Sequence, residues 1–471
     1  MPALTPEESY LWLCARSWSD PAAANLGLLP QAENLQKLDW DRLLDIGLLN
    51  RMQGLLAHVW SVTGLERHLP PEAARRLSSA AARYQRQGEY LGEALRAYLH
   101  YAAQISQDVV VIKGLWLSDK IYGSTAIRPG SDIDILLSRR DIPASLSILE
   151  EKMGYGRWWR PLLDDAYYYR HHLHQQRCSP DRTIWVEPHW LLDHPYTRLT
   201  INFDELLNRT SPGELFGEPL REMAPVDLVS SLAIHLVKHA VYLPHAWQRR
   251  DLPRLILADG MLMYFVDIAE VLHVYTKKPP GEALDWAELL SLARRSGTLS
   301  ILGPVLLVCR NLLGAPVPAE ILAQFSGASG GAQQTKAGVL QPAREEYPAL
   351  VGRIMNRLAD HIIATYEGRE TEPLWRFLLG YQETAVFRPI RLLDLLLYLF
   401  PGPDYLRRRY SSDGFAAAAR HLLRASGQYV GTLLDTILFT ARRRREVHRL
   451  DRQGYHWPEL PVDSEPPAEE S

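Results

Sequence analysis

The chain is poor in cysteine: three residues in 471, Cys14, Cys178 and Cys309, none at a zinc-ligand spacing from another. Thiols this few and this scattered do not build a disulfide framework; they point to reduced side chains and a cytoplasmic protein. A positive excess is missing as well, since 52 Lys and Arg stand against 55 Asp and Glu for a formal net charge of −3. That balance argues against a dedicated partner of long nucleic acid, which needs a basic surface to neutralise phosphates. Long hydrophobic runs are also absent. No stretch reaches the roughly 18 apolar residues of a membrane span, and the nearest, "SILGPVLLVCRNLLG", is broken by Arg310. The opening "MPALTPEESYLWLCARSWSD" has no basic segment leading into an apolar core, so no signal peptide and no membrane partner are expected.

What is present is mainly helical periodicity, in a chain long enough for two or three domains. Thr5-Pro6-Glu7-Glu8 reads as a helix start, with a Thr cap, Pro at the first helical position and acids in the first turn. Apolar residues three and four apart then predict an N-terminal helical region over 1–107. The pattern changes at Val109–Ile112, a short buried-strand candidate, and a second strand is expected over 134–137. "RDIPASLSILEEKMGY" reads as an Asp-capped helix, and "YYYRHHLHQQRC" and "TIWVEPHWLL" alternate like paired strands turning at Ser179-Pro180-Asp181. These make a small mixed sheet, the α/β core, over 108–195. A helical domain packing on it is expected over 196–325, a flexible loop over 326–345, a C-terminal helical region over 346–455, and a disordered acidic tail over 456–471. The fold class is therefore α+β, a small sheet embedded in a mainly helical chain.

The chemistry concentrates in "VVVIKGLWLSDKIYGSTAIRPGSDIDILL". On a strand, residues i and i+2 face one side, so Asp132 and Asp134 project together with Cα atoms about 6–7 Å apart. Alone, such a pair is equally a loop cap or an exposed strand end. Leu136 and Leu137 make the strand a buried one, and buried carboxylates are costly without a metal or a cationic partner. Mg²⁺ suits such oxygen ligands, often one or two carboxylates plus substrate phosphates. The Lys113-Gly114 turn before a helix offers backbone N–H groups to phosphate. Arg128 lies on the loop feeding the acidic strand, and Glu187 in "TIWVEPHW" is a candidate third carboxylate on a further strand.

The run from Ile112 to Leu137, followed by a helix, "MGYG" and "WVEPHWLL", resembles the bacterial nucleotidyltransferases of the DNA polymerase β-like superfamily. Within them it is most similar to the "family 5" nucleotidyltransferases with a Lys-Gly signature. "IHLVKH", "FVDIAEVLH" and "LDWAELLSLARRSG" resemble that family's helical portion. The resemblance implies a polymerase β-like core and a Mg²⁺-dependent enzyme that moves a nucleoside monophosphate from an NTP, such as ATP, to an acceptor and releases pyrophosphate. It implies Asp132, Asp134 and Glu187 as catalytic residues and ligands of two Mg²⁺ ions, Mn²⁺ being a substitute. Lys113, Gly114, Arg128 and Ser131 are then the nucleotide-binding residues. One departure stands out: the wider superfamily carries a Gly-Ser or Gly-Gly pair before the acidic strand, where this chain has Lys113-Gly114-Leu115 and a longer connection. Without a basic excess, the acceptor expected is a small molecule, peptide or protein.

Two other readings compete. One is a non-catalytic nucleotide- or metabolite-binding module of the same fold. The other is a metal-dependent phosphohydrolase built on His235 and His239, one helical turn apart, with Asp267. For those two histidines a packing role is the simpler expectation, and Asp267 is expected to pair with one of them or with Arg249 or Arg250. His172 and His174 share a strand face that reads as a solvated edge. His189, two residues after Glu187, points to the same side and either orients that carboxylate or is buried beside Trp190. The arginine runs 407–409 and 442–445 read as solvated helix faces, and Trp158-Trp159 beside Arg160 as core or acceptor-pocket residues.

Overall fold

Thr5 and Glu8 close the first helix as a reciprocal capping box. In a computed structural model, Thr5 N donates to Glu8 Oε2 (2.8 Å) and Glu8 N to Thr5 Oγ1 (3.3 Å). The structure describes residues 4–19, 37–156, 169, 173–193, 199, 201–239 and 251–327, with parts of 406–423. Expectations for the polar loop beyond 327, most of the C-terminal helical region and the acidic tail lie outside these residues. So do Trp158, Trp159, Arg160, His172, Arg249, Arg250, Arg408, Arg409 and the run 442–445.

The N-terminal helices are α1 (Pro6–Ser19), α2 (Trp40–Leu49), α3 (Gln53–Thr63) and the long α4 (Pro71–Gln104). Asp39 caps α2 by accepting from Arg42 N, and Pro71 opens α4 where a missing N–H costs nothing. Next come β1 (Val110–Val111), α5 (Leu115–Lys120) and β2 (Ile133–Leu136). The helix α6 (Ile142–Ser147) is prolonged by a π turn over Ile148–Lys152 and stopped at Gly154. The strands β3 (Arg177–Cys178) and β4 (Trp185–His189) follow. β4 matches the alternation, whereas among the described residues the strand expected over 167–178 is reduced to its last two, with His174 in an isolated bridge to His189 and Tyr169 helical. The helix α7 (Phe203–Arg209), the hairpin β5 (Ser211–Leu215)–β6 (Glu218–Glu222) and α8 (Pro225–His239) come next. The rest is helical: α9 (Leu252–Ala258), α10 (Leu262–Thr276), α11 (Trp286–Ser296), α12 (Leu299–Leu313) and α13 (Ala319–Gly327).

The six strands form one mixed sheet in the order β3-β4-β2-β1-β6-β5. β1 runs antiparallel to β2 and parallel to β6, while β2 and β4 are parallel. The sheet therefore continues past residue 195: the hairpin 211–222 lies within the stretch expected to be helical and completes one edge. Its turn places Phe216 (φ 54°) and Gly217 (φ 80°) in the left-handed region, the backbone of a two-residue hairpin loop.

One continuous core joins the sheet, the N-terminal helices and α8–α12. Arg254 of α9 makes a fork on the Glu8 carboxylate of α1 (2.8–3.2 Å). Asn50 at the end of α2 donates to Leu257 O and accepts from Leu262 N. The loop that feeds β2 is gripped from the N-terminal side. A Cβ on Gly54 would stand 2.0 Å from the Ala126 carbonyl oxygen, and one on Gly88 2.2 Å from the Thr125 side chain. Cys14, Cys178 and Cys309 are buried free thiols. Among the described residues no helix is long and apolar enough to cross a membrane.

Candidate active site

Parallel pairing sets the site. Asp134 and Glu187 are register partners across β2 and β4, so both side chains leave the same face at the same height. Asp132 stands two residues earlier, just before β2 begins, and points the same way. Carboxylate oxygens of Asp132, Asp134 and Glu187 lie within 4.8 Å of one another. The sheet interior buries Asp134 almost completely, whereas Asp132 retains 28% side-chain exposure and opens the cluster to solvent.

Three acids this close need cations. Lys113 supplies one: its Nζ is 2.9 Å from Asp134 Oδ2 and 3.6 Å from Asp132 Oδ2. The lysine reaches them because Gly114 turns the chain sharply after β1, at φ 58° and ψ −115°, a backbone that side-chain-bearing residues rarely adopt. Ser118 pins that turn by donating to Gly114 O (3.0 Å) and Arg128 O (2.8 Å). His189 supplies another partner, with Nε2 3.1 Å from Asp134 Oδ1 and 3.5 Å from Glu187 Oε2. Gln176 donates to the other Glu187 oxygen. His174 stacks on His189 and brings Nδ1 to 3.5 Å from Glu187 Oε2.

The charges follow from this packing. Burial opposes ionisation of Asp134, but the Lys113 ammonium and then His189 outweigh it and hold its carboxyl below the usual range. Burial opposes Glu187 too, and His189, Lys113 and Gln176 bring it down to about 2. Asp132 goes the other way: burial, then the neighbouring Asp134, push it up despite Lys113. For Lys113 burial disfavours the charge, yet Asp134 and Asp132 raise its pKa. Contacts to Asp134 and Glu187 likewise raise His189 against its burial. The α8 helix presents more basic groups to this cluster. Burial, then Lys113 and Lys238, hold the His235 imidazole well below its usual value, and burial, then Lys113, lower Lys238.

The structure thus gathers Asp132, Asp134, Glu187 and Lys113, four of the residues singled out in the sequence. Of the others, Gly114 and Ser131 adjoin the cluster and Arg128 stands apart. Arg128 does not reach the carboxylates: it is buried in an ion pair with Asp267 of α10, Nη2 to Oδ2 at 2.8 Å and Nε to Oδ1 at 3.2 Å. Tyr122 donates to the same Asp267 (2.9 Å). Ser131 is exposed and donates to Asp132 Oδ1 (3.0 Å). The turn at Gly114 leads into a helix of six residues only, and the charge it delivers is the Lys113 ammonium.

The histidines also sort differently from expectation. His235 and His239 pack against each other and against Tyr264 (ring centroids 4.6–5.7 Å). With Asp267 committed to Arg128, these three form no metal-ligand group; among the described residues the groups found are Asp132–Asp134–Glu187 and His174–Glu187–His189. His174 is not a solvated edge but a half-buried neighbour of Glu187. Gln176, two residues after His174 and just before β3, carried no sequence signal of its own.

The donor set of hard carboxylate oxygens, one of them open to solvent, fits a divalent cation such as Mg²⁺. Neither the curated proteins nor the solved structures contain a match to the chain. The family described as uncharacterised nucleotidyltransferase matches residues 36–314, more than half of the sequence, and takes in the N-terminal helices from α2 onward as well as the sheet and α8–α12. The chain belongs to this uncharacterised nucleotidyltransferase family.

Proposed function

We propose that the protein is a Mg²⁺-dependent nucleotidyltransferase that moves a nucleoside monophosphate from an NTP to a hydroxyl of a small-molecule, peptide or protein acceptor. The observation that carries this reading is the convergence of Asp132, Asp134 and Glu187 on one sheet face beside Lys113, in a member of a nucleotidyltransferase family. Asp132, Asp134 and Glu187 would hold the divalent cation, which when bound neutralises phosphate charge and lowers the pKa of the acceptor hydroxyl.

The chain's own groups do the rest. Lys113, already charged and directed at the cluster, offers an ammonium to the phosphate oxygens as they enter. Gln176 fixes the Glu187 carboxylate and His189 fixes Asp134, so neither has to reorganise when substrate binds. The acceptor oxygen forms a bond to the α-phosphorus while the bond to pyrophosphate breaks, and the hydroxyl proton passes to a carboxylate oxygen of the cluster. The Arg128–Asp267 pair acts at a distance, tying the loop before Asp132 to α10 and holding the acidic strand in place. The net charge of −3 favours an acceptor other than long nucleic acid.

A screen of NTPs against acceptor classes with Mg²⁺, read by pyrophosphate release and by mass shift so that self-modification registers, tests the reading. Turnover in wild type that disappears in Asp134→Asn supports it; identical traces from both remove catalysis from this site. A binding module without turnover is the second reading, favoured by one observation: Lys113 ion-pairs with Asp132 and Asp134, so a cation must displace or share that contact. It predicts nucleotide binding with no mass shift on any acceptor.

A further inference from the structure

Two imidazoles crowd Glu187 beyond what orienting one carboxylate requires. His174 and His189 stack with centroids 4.6 Å apart and planes 22° from parallel. Each turns a nitrogen to the same atom: His174 Nδ1 and His189 Nε2 both stand 3.5 Å from Glu187 Oε2. That exceeds the usual N–H···O length of about 2.9–3.0 Å. It suits ligands of one tetrahedral metal instead, since donors bound at about 2.1 Å stand about 3.4 Å apart. Gln176 holds the other Glu187 oxygen, which leaves Oε2 turned toward the rings. Side-chain exposures of 12% for His174 and 14% for Glu187 put the place just beneath the surface, with the His174 Nδ1 donor itself buried.

We propose that His174, Glu187 and His189 form a second cation site, a two-nitrogen, one-oxygen set for a divalent transition ion such as zinc, cobalt or manganese. The inference rests on the reading above, because Glu187 is common to this set and to the acidic cluster. His189 Nε2 also hydrogen-bonds Asp134 at 3.1 Å, a contact the nitrogen-bound ion would replace, so the two places adjoin. Their chemistry differs. Imidazole nitrogen favours zinc and its neighbours, whereas Mg²⁺ prefers oxygen throughout. The pair would therefore be a mixed-metal centre, with the nitrogen-bound ion on the Glu187 side and a position open to water or substrate.

The test is a Co²⁺ titration of the full-length chain, followed by visible absorption, in wild type, His174→Gln and Asp132→Asn. The expected result is one equivalent of Co²⁺ with the intense bands of a four-coordinate, nitrogen-ligated ion. His174→Gln then loses those bands and binds at least about tenfold more weakly, with a wild-type thermal melt, while Asp132→Asn keeps them. Should His174→Gln not fold, pulsed EPR of Mn²⁺-loaded wild type reads imidazole nitrogen couplings directly. Unchanged bands in His174→Gln, or no nitrogen coupling in wild type, overturn the proposal. If that happens while Asp132→Asn still abolishes Mn²⁺ binding, the second site fails and the acidic cluster stands. If nitrogen couplings are present but Asp132→Asn and Asp134→Asn leave Mg²⁺-nucleotide binding intact, the second site stands and the acidic cluster fails.

Discussion

Asp134 of β2 and Glu187 of β4 are register partners across a parallel pair, and Lys113 Nζ stands 2.9 Å from the first of them. Two carboxylates from adjacent strands at one height repel each other unless a cation lies between or beside them. In this chain the lysine, the histidine and the proposed metal all answer the same electrostatic demand. Removing a member should therefore affect stability and turnover in different proportions.

Asp134→Asn removes the main charge partner of a lysine that is itself largely buried. Breaking such a buried pair from one side costs about 3 kcal/mol or more, so the variant should melt measurably lower than wild type. Its turnover should fall about 100-fold or more, the scale of losing one preorganised electrostatic group. Glu187→Gln keeps the volume and leaves the Lys113–Asp134 contact, so it should lose comparable activity with a smaller shift in melting temperature. Thermal melts and initial rates on the same preparations separate the two effects.

Arg128 and Asp267 should behave as one structural unit. Arg128→Ala and Asp267→Ala should each destabilise by about 3–5 kcal/mol, because each strands a buried charge. The double variant should cost less than the sum of the two. Chemical denaturation of the three proteins measures the coupling. A large loss of nucleotide affinity in Arg128→Ala with unchanged stability would instead return this arginine to the phosphate.

The Arg128 result also marks how far sequence reading reaches. Asp132, Asp134, Glu187 and the proximity of His189 were legible because strand periodicity fixes which side chains share a face, whatever the strands pack against. The partner of Arg128 lies 139 residues away on α10, and no local pattern encodes that distance. The β5–β6 hairpin escaped for a different reason. Its loop is Phe216-Gly217, not the Asn-Gly or Asp-Gly that usually signals a left-handed two-residue turn, and its strands carry Pro, Gly and Glu instead of β-branched residues. His174 read as solvated because alternation gives a face but not what covers it; here His189 does.

Gly54→Ala should disturb the acidic strand from outside the site. The added methyl would meet the Ala126 carbonyl at 2.0 Å, a backbone atom that cannot rotate away. Overpacking of this kind costs about 1–3 kcal/mol, and the displaced loop leads directly to Asp132. Lower stability together with weaker Mg²⁺-nucleotide binding is the expected pair of results. Wild-type values for both would mean that α3 does not brace the loop.

Glu8 gives a pH dependence whose sign is fixed. Burial opposes its ionisation, but hydrogen bonds from Arg254, then Thr5 N, hold its carboxyl below the ordinary 4.5. A folded pKa below the unfolded one stabilises the protein above the unfolded value, and that stabilisation is lost as pH falls through the folded value. Glu8→Gln should thus cost about 2 kcal/mol near neutral pH, the scale of charge-assisted hydrogen bonds. The gap to wild type should close as the medium is acidified below the carboxylate range. Paired denaturation curves along a pH series check both the size and the direction.

The most direct test of nucleotidyl transfer follows the phosphorus. Wild type is incubated with Mg²⁺ and acceptor, once with an NTP labelled at the α-phosphate and once with the γ-label. The account predicts that the α-label appears on the acceptor, the γ-label leaves as pyrophosphate, and both signals vanish in Asp134→Asn and Glu187→Gln. Transfer of the γ-label to the acceptor, or α-label transfer that persists in both variants, would contradict it.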